Sequence, residues 1–205
     1  MPTPNASPTG SLATFTPATR AWFTAAFTAP TPAQAHAWVA IGAGEHTLVI
    51  APTGSGKTLA AFLHAIDQLF RSGEPSSVPP SHPAPPKKRG TRVLYLSPIK
   101  ALGADVQRNL QIPLQGVSAE RERRGDPAVN LSVAIRSGDT TAAERARLVR
   151  RPPDILITTP ESLFLMLTSQ ARETLREVHT VIIDEIHAVA GSKRGTHLAL
   201  SLERL

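Results

Sequence analysis

The chain has 205 residues, 41% of them hydrophobic, enough for one sizeable core and too few for two full α/β domains. Lys and Arg outnumber Asp and Glu by 22 to 16, a formal net charge of +6 that suits a polyanionic partner without requiring one. The absence of cysteine excludes a disulfide framework and a thiolate metal site; no apolar run approaches the roughly 20 residues of a membrane span and no leader pattern opens the chain, so a cytoplasmic protein is expected.

Residues 1 to 14 read as a flexible N-terminus ahead of a single domain at 15 to 205. "TPATRAWFTAAF" and "TPAQAHAWVAIGAG" read as helices, the second with Thr31 as cap and Pro32 at its first position. Five β-rich apolar runs follow at 46 to 51, 92 to 97, 131 to 135, 154 to 158 and 180 to 184, and their near-continuous apolarity suits strands buried on both faces. Helix-like segments alternate with them: "GKTLAAFLHAIDQLF", "ALGADVQRNLQIPL", "TAAERARLV", "ESLFLMLTSQARETL" and "THLALSLERL". Such alternation implies parallel βαβ units, hence an α/β domain with a mostly parallel sheet flanked by helices. Two connections lack hydrophobic periodicity. The Pro-rich "GEPSSVPPSHPAPPKKRG" at 73 to 90 reads as a disordered surface loop whose "KKR" either touches a phosphate backbone or, as such runs more often do, forms a solvated face, and "GVSAERERRGDPAVN" at 116 to 130 as a polar linker.

"APTGSGKT" at 51 to 58 stands between an expected strand and an expected helix, the context of a phosphate-binding loop. Gly54 and Gly56 allow dihedrals that turn successive N–H groups of Thr53, Gly54, Ser55 and Gly56 toward one anion, and the helix N-terminus adds its partial positive charge. Lys57 would reach the β and γ phosphates and Thr58 would offer a hydroxyl to Mg²⁺. The alternative, a Gly-rich turn without ligand, is disfavoured because strand, glycines, Lys-Thr and helix agree. A phosphate–Mg²⁺ site needs a second anionic group at a strand tip, and "VIIDEIH" at 181 to 187 supplies one. Asp184 can hold the metal, and Glu185 can orient and deprotonate the attacking water. His187 has two readings, a residue that transmits the nucleotide state or an ordinary loop histidine. His64 and His197 read as structural, and no histidine pair has metal-ligand spacing.

"APTGSGKT" together with "DEIH" resembles motifs I and II of superfamily 2 helicases, the DEAD/DEAH-box class. "AFTAPTPAQAHAW" is similar to the Q-motif region, "LSPIKAL" to motif Ia, "SGDT" to a phosphate-contacting loop and "TTPESL" to motif Ib. "TRAWF", "SPIKAL", "GDT" and "DEIHAVAGSKRGTHLALSLERL" together resemble the Lhr (large helicase-related) branch. The resemblance spans about residues 15 to 205 and implies a RecA-like P-loop fold, ATP and Mg²⁺ as cofactors, and Gln34 as the residue that reads adenine. It also implies backbone contacts to single-stranded DNA or RNA. Ser97, Lys100, Gly138, Thr140, Thr159 and Glu161 are the candidates, at strand ends where helix N–H groups and small hydroxyls meet phosphates without reading bases. Each hydroxyl also has a plain reading as a cap or turn residue. Lys193 and Arg194 either approach the strand or form an exposed basic turn.

A superfamily 2 motor has two RecA-like domains, with arginine fingers on the second. This sequence shows no motif III and no second-domain motifs, so truncation before the motif III strand is expected, with sheet backbone left unpaired and marginal stability as its consequences. The expected function is the ATP- and nucleic-acid-binding motor domain of an Lhr-like helicase. The alternatives are another P-loop ATPase or nucleotide kinase, against which "PTPAQ", "TTPES" and "DEIH" speak, and a stand-alone nucleic-acid-binding P-loop module without motor activity.

Overall fold

Two Thr-Pro-Ala sequences begin the first long helices of the computed structural model, which describes residues 8 to 52, 54 to 73, 90 to 98 and 102 to 205. The chain divides into two units, Met1–Pro75 with Leu110–Val129, and Ser76–Asn109 with Asn130–Leu205. The Pro-rich loop expected at 73 to 90 lies outside the described residues except for its two end glycines. Within the expected flexible segment 1 to 14, Pro8–Ser11 forms a helical turn (α1) and Leu12–Thr14 a 3-10 turn, with Ser11 buried.

The first unit is helical. In α2 (Pro17–Ala26) Thr16 caps the N-terminus, and α3 (Pro32–Gly42) has a full capping box in which Thr31 and Gln34 satisfy each other's backbone N–H groups. Proline at the first position of each helix sacrifices a donor that has no intrahelical partner. Behind them α4 (Lys57–Ser72) buries Ala60, Phe62, Leu63, Ile66, Leu69 and Phe70 at helical spacing. Trp38 is the hub of this core. Phe15 and Phe23 meet it edge-on with centroids 4.9 and 5.2 Å away, and its indole N–H donates to the Ala60 carbonyl at 2.9 Å. Asp67, also buried, accepts from the Thr16 N–H at 3.0 Å, the Thr16 hydroxyl at 2.6 Å and Arg71 Nε at 2.9 Å, tying the start of α2 to α4.

Two expectations fail here. Residues 46 to 51 form no strand, and Leu48 and Ile50 are 69% and 86% exposed. Apolarity alone does not hold an extended segment, because its backbone groups need a ladder partner, and no described strand pairs with this one. The polar stretch after residue 116 is helical, since α5 runs from Leu102 to Arg123 through Pro113. Val117 is fully buried and the Arg121 guanidinium lies 5.4 Å from the Phe70 ring centroid, so packing extends a helix whose composition reads as a linker. Gly116 is required there, because a Cβ would sit 2.0 Å from Trp22 Nε1.

The second unit holds a four-stranded, all-parallel sheet of β1 (Val93–Leu96), β2 (Val133–Arg136), β3 (Ile155–Thr158) and β4 (Thr180–Ile183), in the order β2-β3-β1-β4. Four of the five expected strands are therefore present. Central β1 and β3 are buried throughout, as strands covered on both faces must be. On one face Leu94, Leu96 and Leu156 pack with Leu163, Met166 and Leu167 of α7 (Pro160–Leu167) and Leu198 of α8 (Lys193–Leu202). On the other, Ile135 and Ile157 lie under Gly103 of α5. α6 (Ala142–Arg150) follows β2 with its own capping box, Thr141 with Glu144. The run expected as one helix at 161 to 175 is α7 followed by a 3-10 segment, Gln170–Leu175. At the amino ends of the strands Arg92 pairs with Asp154 at 2.7 Å, and Asp154 also accepts from the backbone N–H and hydroxyl of Ser132, both at 2.8 Å. No helix among the described residues is long and apolar enough to cross a membrane.

Asp67→Ala leaves the Thr16 N–H without its acceptor, while the Arg71 guanidinium keeps the Thr14 carbonyl at 2.7 Å, so a loss of about 2 kcal/mol is expected. Urea unfolding followed by tryptophan fluorescence reads it, because both tryptophans belong to this unit. A loss below about 1 kcal/mol would show that water replaces the carboxylate.

Candidate functional site

The phosphate-type loop is built as its glycines require. Gly54 and Gly56 have φ of +77° and +80°, a left-handed conformation that strains any residue with a Cβ, and Gly56 caps α4. Ser55 turns back on Pro52, donating its hydroxyl to that carbonyl at 2.7 Å. Lys57, the first residue of α4, donates its ammonium to the carbonyls of Ala51 at 2.5 Å and Pro52 at 2.8 Å. Two of its three donors are thus anchored to the loop, and one remains. Thr58 is exposed in the first turn of α4. Thr53 lies outside the described residues.

Gln34 is the support of this loop. It is 4% exposed; its Oε1 accepts from the Thr31 N–H at 3.0 Å and its Nε2 donates to the Gly56 carbonyl at 3.3 Å. Thr31 adds a hydroxyl bond to the Ser55 carbonyl at 3.0 Å. The capping box of α3 and the loop before α4 are therefore one hydrogen-bonded assembly, and the Gln34 side chain is turned toward the loop.

In the second unit, Asp184 and Glu185 follow β4. Asp184 continues the ladder by one residue through its N–H to the Leu96 carbonyl at 2.9 Å, which fixes its position at the carboxyl edge of the sheet. One carboxylate oxygen accepts from the Glu185 N–H at 3.0 Å, the other from the Tyr95 hydroxyl. A carboxylate held by one donor per oxygen keeps lone pairs for a cation's water shell. Among the described residues no three acidic or histidine side chains cluster as a metal cage. That donor set fits a magnesium ion bound largely by water and phosphate and does not fit a zinc or calcium cage. Glu185 adopts φ of +46°, the single described non-glycine residue with positive φ, a strained conformation at the strand exit. Its carboxylate lies 3.3 Å from Nε2 of the exposed His187.

Tyr95 is absent from the sequence reading. Burial, the hydrogen bond to Asp184 and the charges of Asp184 and Glu185 push its phenol above the ordinary range, so it stays a donor. The available signal is a lone tyrosine in a strand otherwise aliphatic, one strand away from "DEIH" in any parallel arrangement that makes them neighbours.

Among the described residues, the remaining predicted contacts follow the carboxyl ends of the other strands. Ser97 is buried and donates its N–H to the Thr158 carbonyl at 3.0 Å. The Gly138 carbonyl accepts from Arg145 at 2.9 Å. Thr140 accepts from the Ser137 N–H at 2.8 Å, and Thr159 caps α7 by accepting from Ser162. Both hydroxyls therefore serve the backbone locally. The Glu161 carboxylate is bound by the Arg194 guanidinium, which holds it below the usual carboxylate range. Lys100 lies outside the described residues. Beside "SGDT", a groove of about 370 Å³ is lined by Gln107, Ser137, Asp139, Thr140 and Arg147 among others.

A DEAD/DEAH box helicase family model matches residues 31–205. The chain is 66% identical over 191 residues to the Lhr helicase/uracil glycosylase of Escherichia coli, covering 93% of this chain and 12% of that protein. It is 60% identical over 205 residues to an Lhr helicase/probable uracil glycosylase of Mycolicibacterium smegmatis, covering 100% of this chain and 13% of that protein. The solved structure of Mycobacterium smegmatis helicase Lhr bound to ssDNA and AMP-PNP matches with a TM-score of 0.84 at 60% identity, over 95% of this chain and 23% of that one. The chain thus spans a small part of the length of the proteins it matches.

A Cβ on Gly56 would lie 2.3 Å from Gln34 Nε2. Gly56→Ala is expected to destabilise the chain by about 2 to 4 kcal/mol, of which left-handed strain is about 1 to 2. In a Gln34→Ala background the same substitution should cost the strain alone. Equal losses in both backgrounds, measured by denaturant titration, would show that the two side chains do not press on each other.

Proposed function

Because the chain belongs to the DEAD/DEAH box helicase family, with an α/β fold of the RecA-like helicase type, we propose that it is the ATP-binding motor domain of an Lhr-type helicase acting on single-stranded nucleic acid. The observation that carries this reading is the left-handed pair Gly54 and Gly56 leading into Lys57 at the first turn of α4, an anion cradle in backbone and charge. The M. smegmatis relative, bound to AMP-PNP and ssDNA, supports both ligands for this chain.

Each residue then has a task set by its chemistry. The N–H groups of the loop and the ammonium of Lys57 bind the β and γ phosphates. Gln34, buttressing Gly56, keeps the loop in its binding shape and offers its remaining amide hydrogen toward the base. Thr58 in the first unit and Asp184 in the second each carry an oxygen suited to Mg²⁺, which when bound would neutralise charge on the phosphates. Glu185 takes the proton of the water whose oxygen attacks the γ phosphorus, as the bond from that phosphorus to the bridging oxygen breaks. Charge developing on the phosphoryl oxygens needs a further cation, which in this family comes from a second RecA-like domain. Ser97, Gly138, Thr140 and Thr159 stand at the strand ends that would follow a sugar-phosphate chain; the Thr140 and Thr159 hydroxyls and the Ser97 and Thr140 N–H groups serve local bonds, so the N-terminal ends of the helices that follow would meet the phosphates.

Lys57→Ala should abolish measurable binding of a fluorescent ATP analogue to the chain, and unchanged affinity would remove the phosphate loop from the reading. In a protein carrying both RecA-like domains, Glu185→Gln should retain ATP binding and lose turnover by about 10² to 10⁴-fold, read by phosphate release. Asp184→Asn should instead weaken binding only when Mg²⁺ is present. Near-normal turnover of Glu185→Gln would place the base elsewhere.

A further inference from the structure

Arg194 carries three contacts that no nucleotide or phosphate role explains. Its Nε donates to one oxygen of Glu161 at 2.5 Å, its Nη2 to the other at 3.2 Å, and Nη2 also donates to the Pro98 carbonyl at 2.7 Å. A planar guanidinium fork can meet a carboxylate with two parallel bonds, which an ammonium cannot. The three residues come from different strand exits: Pro98 follows β1, Glu161 lies in the first turn of α7 after β3, and Arg194 lies in the first turn of α8 after β4. Those strands are adjacent in the sheet order β3-β1-β4.

The location of Arg194 is electrostatically adverse on its own. The first turn of α8 has no acidic residue and carries Lys193 and Arg194 where the helix dipole is positive. Glu161 has the opposite problem. It suits the N-terminus of α7, but an unpaired carboxylate there would repel a phosphate chain passing the strand ends. The ion pair resolves both, and each partner holds the other in its charged form.

We propose that Arg194 is a positioning residue for nucleic-acid binding, a cross-link that holds the turn at Ser97 and Pro98 at a fixed separation from the N-terminus of α7 at Thr159 to Glu161. The proposal rests on the strand-binding reading above and adds to it a residue that binds no phosphate itself. A nucleic-acid strand that passes successive strand ends and helix N-termini needs their spacing fixed before it arrives, and the clamp sets that spacing across three strand ends.

Two substitutions separate this from a direct phosphate contact. Glu161→Gln is isosteric and removes a negative charge. If charge alone mattered, it would tighten binding of a polyanion; as a broken clamp it weakens binding. The expected result is a Kd for a fluorescein-labelled thymidine oligonucleotide raised roughly tenfold at low salt, with a thermal melt that overlays that of the unmodified chain. Arg194→Ala should give a similar loss with an unchanged slope of log K against log salt, whereas loss of a phosphate contact makes that slope shallower by about 0.7. Arg194→Lys keeps the charge without the fork and should stay as weak as Arg194→Ala. Equal or tighter binding by Glu161→Gln, a shallower slope for Arg194→Ala, or full recovery by Arg194→Lys would each overturn the clamp. Failure of the unmodified chain to bind the oligonucleotide would instead sink the strand-binding reading, and the clamp with it.

Discussion

The parallel registration of β1 against both of its neighbours sets the level of everything chemical in the second unit. Leu96 pairs with Thr158 on one side and with Ile183 on the other, and Arg136 pairs with Thr158 in turn, so all four strands end on one line. The next residue of each strand is therefore delivered to the same edge: Ser137, Thr159, Ser97 and Asp184. A shift of one residue in any pairing would turn a strand's side chains to the opposite face. It would bury a carboxylate or remove a cap, and the apolar faces of Leu94, Leu96 and Leu156 would no longer meet α7 and α8. Packing on both faces and chemistry at the edge are thus fixed by the same hydrogen bonds.

The first unit reaches its loop by a different route. Its phosphate-type loop leans on a helix cap. Thr31 and Gln34 complete the N-terminus of α3, and the same two side chains hold the carbonyls of Ser55 and Gly56. The loop is shaped from outside by groups already held in place, so its glycines can keep their left-handed dihedrals without a long side chain of their own. Trp38, one turn further along α3, donates to Ala60 on α4 and locks the two helices below the loop.

Much of this was legible in the sequence because its causes are local. Thr-Pro at helix starts, alternating apolar runs and helices, and Gly-x-Gly-Lys-Thr before a helix each state their conformation within a few residues. Four strands and the glycine loop follow from such signals. What was not legible depends on distant partners. Residues 46 to 51 have the composition of a strand and lack a ladder, and α5 continues past Gly116 because Phe70 and Trp22 receive it. Tyr95 meets Asp184 only once β1 and β4 are neighbours. Arg194 reads as a basic turn until Glu161 and Pro98 are brought beside it. Gln34, singled out for the base, also has a structural task that no motif reveals, since Gly56 is 22 residues away from it.

The placement of β1 at the centre of the sheet also sets a timetable for synthesis. Its partners are late: Arg92 bonds Asp154 across 62 residues, and Tyr95 bonds Asp184 across 89. At roughly 5 to 20 residues per second, the ribosome needs about 4 to 18 s to supply the last of them after β1 has been made. Through that interval "VLYL" is an unpaired, fully apolar strand segment, a template for the wrong neighbour. Only the part of the first unit up to residue 75 precedes that interval; its second segment, Leu110–Val129, is made within it. The hazard of wrong pairing therefore falls on the central strand, between the synthesis of residue 96 and that of residue 183.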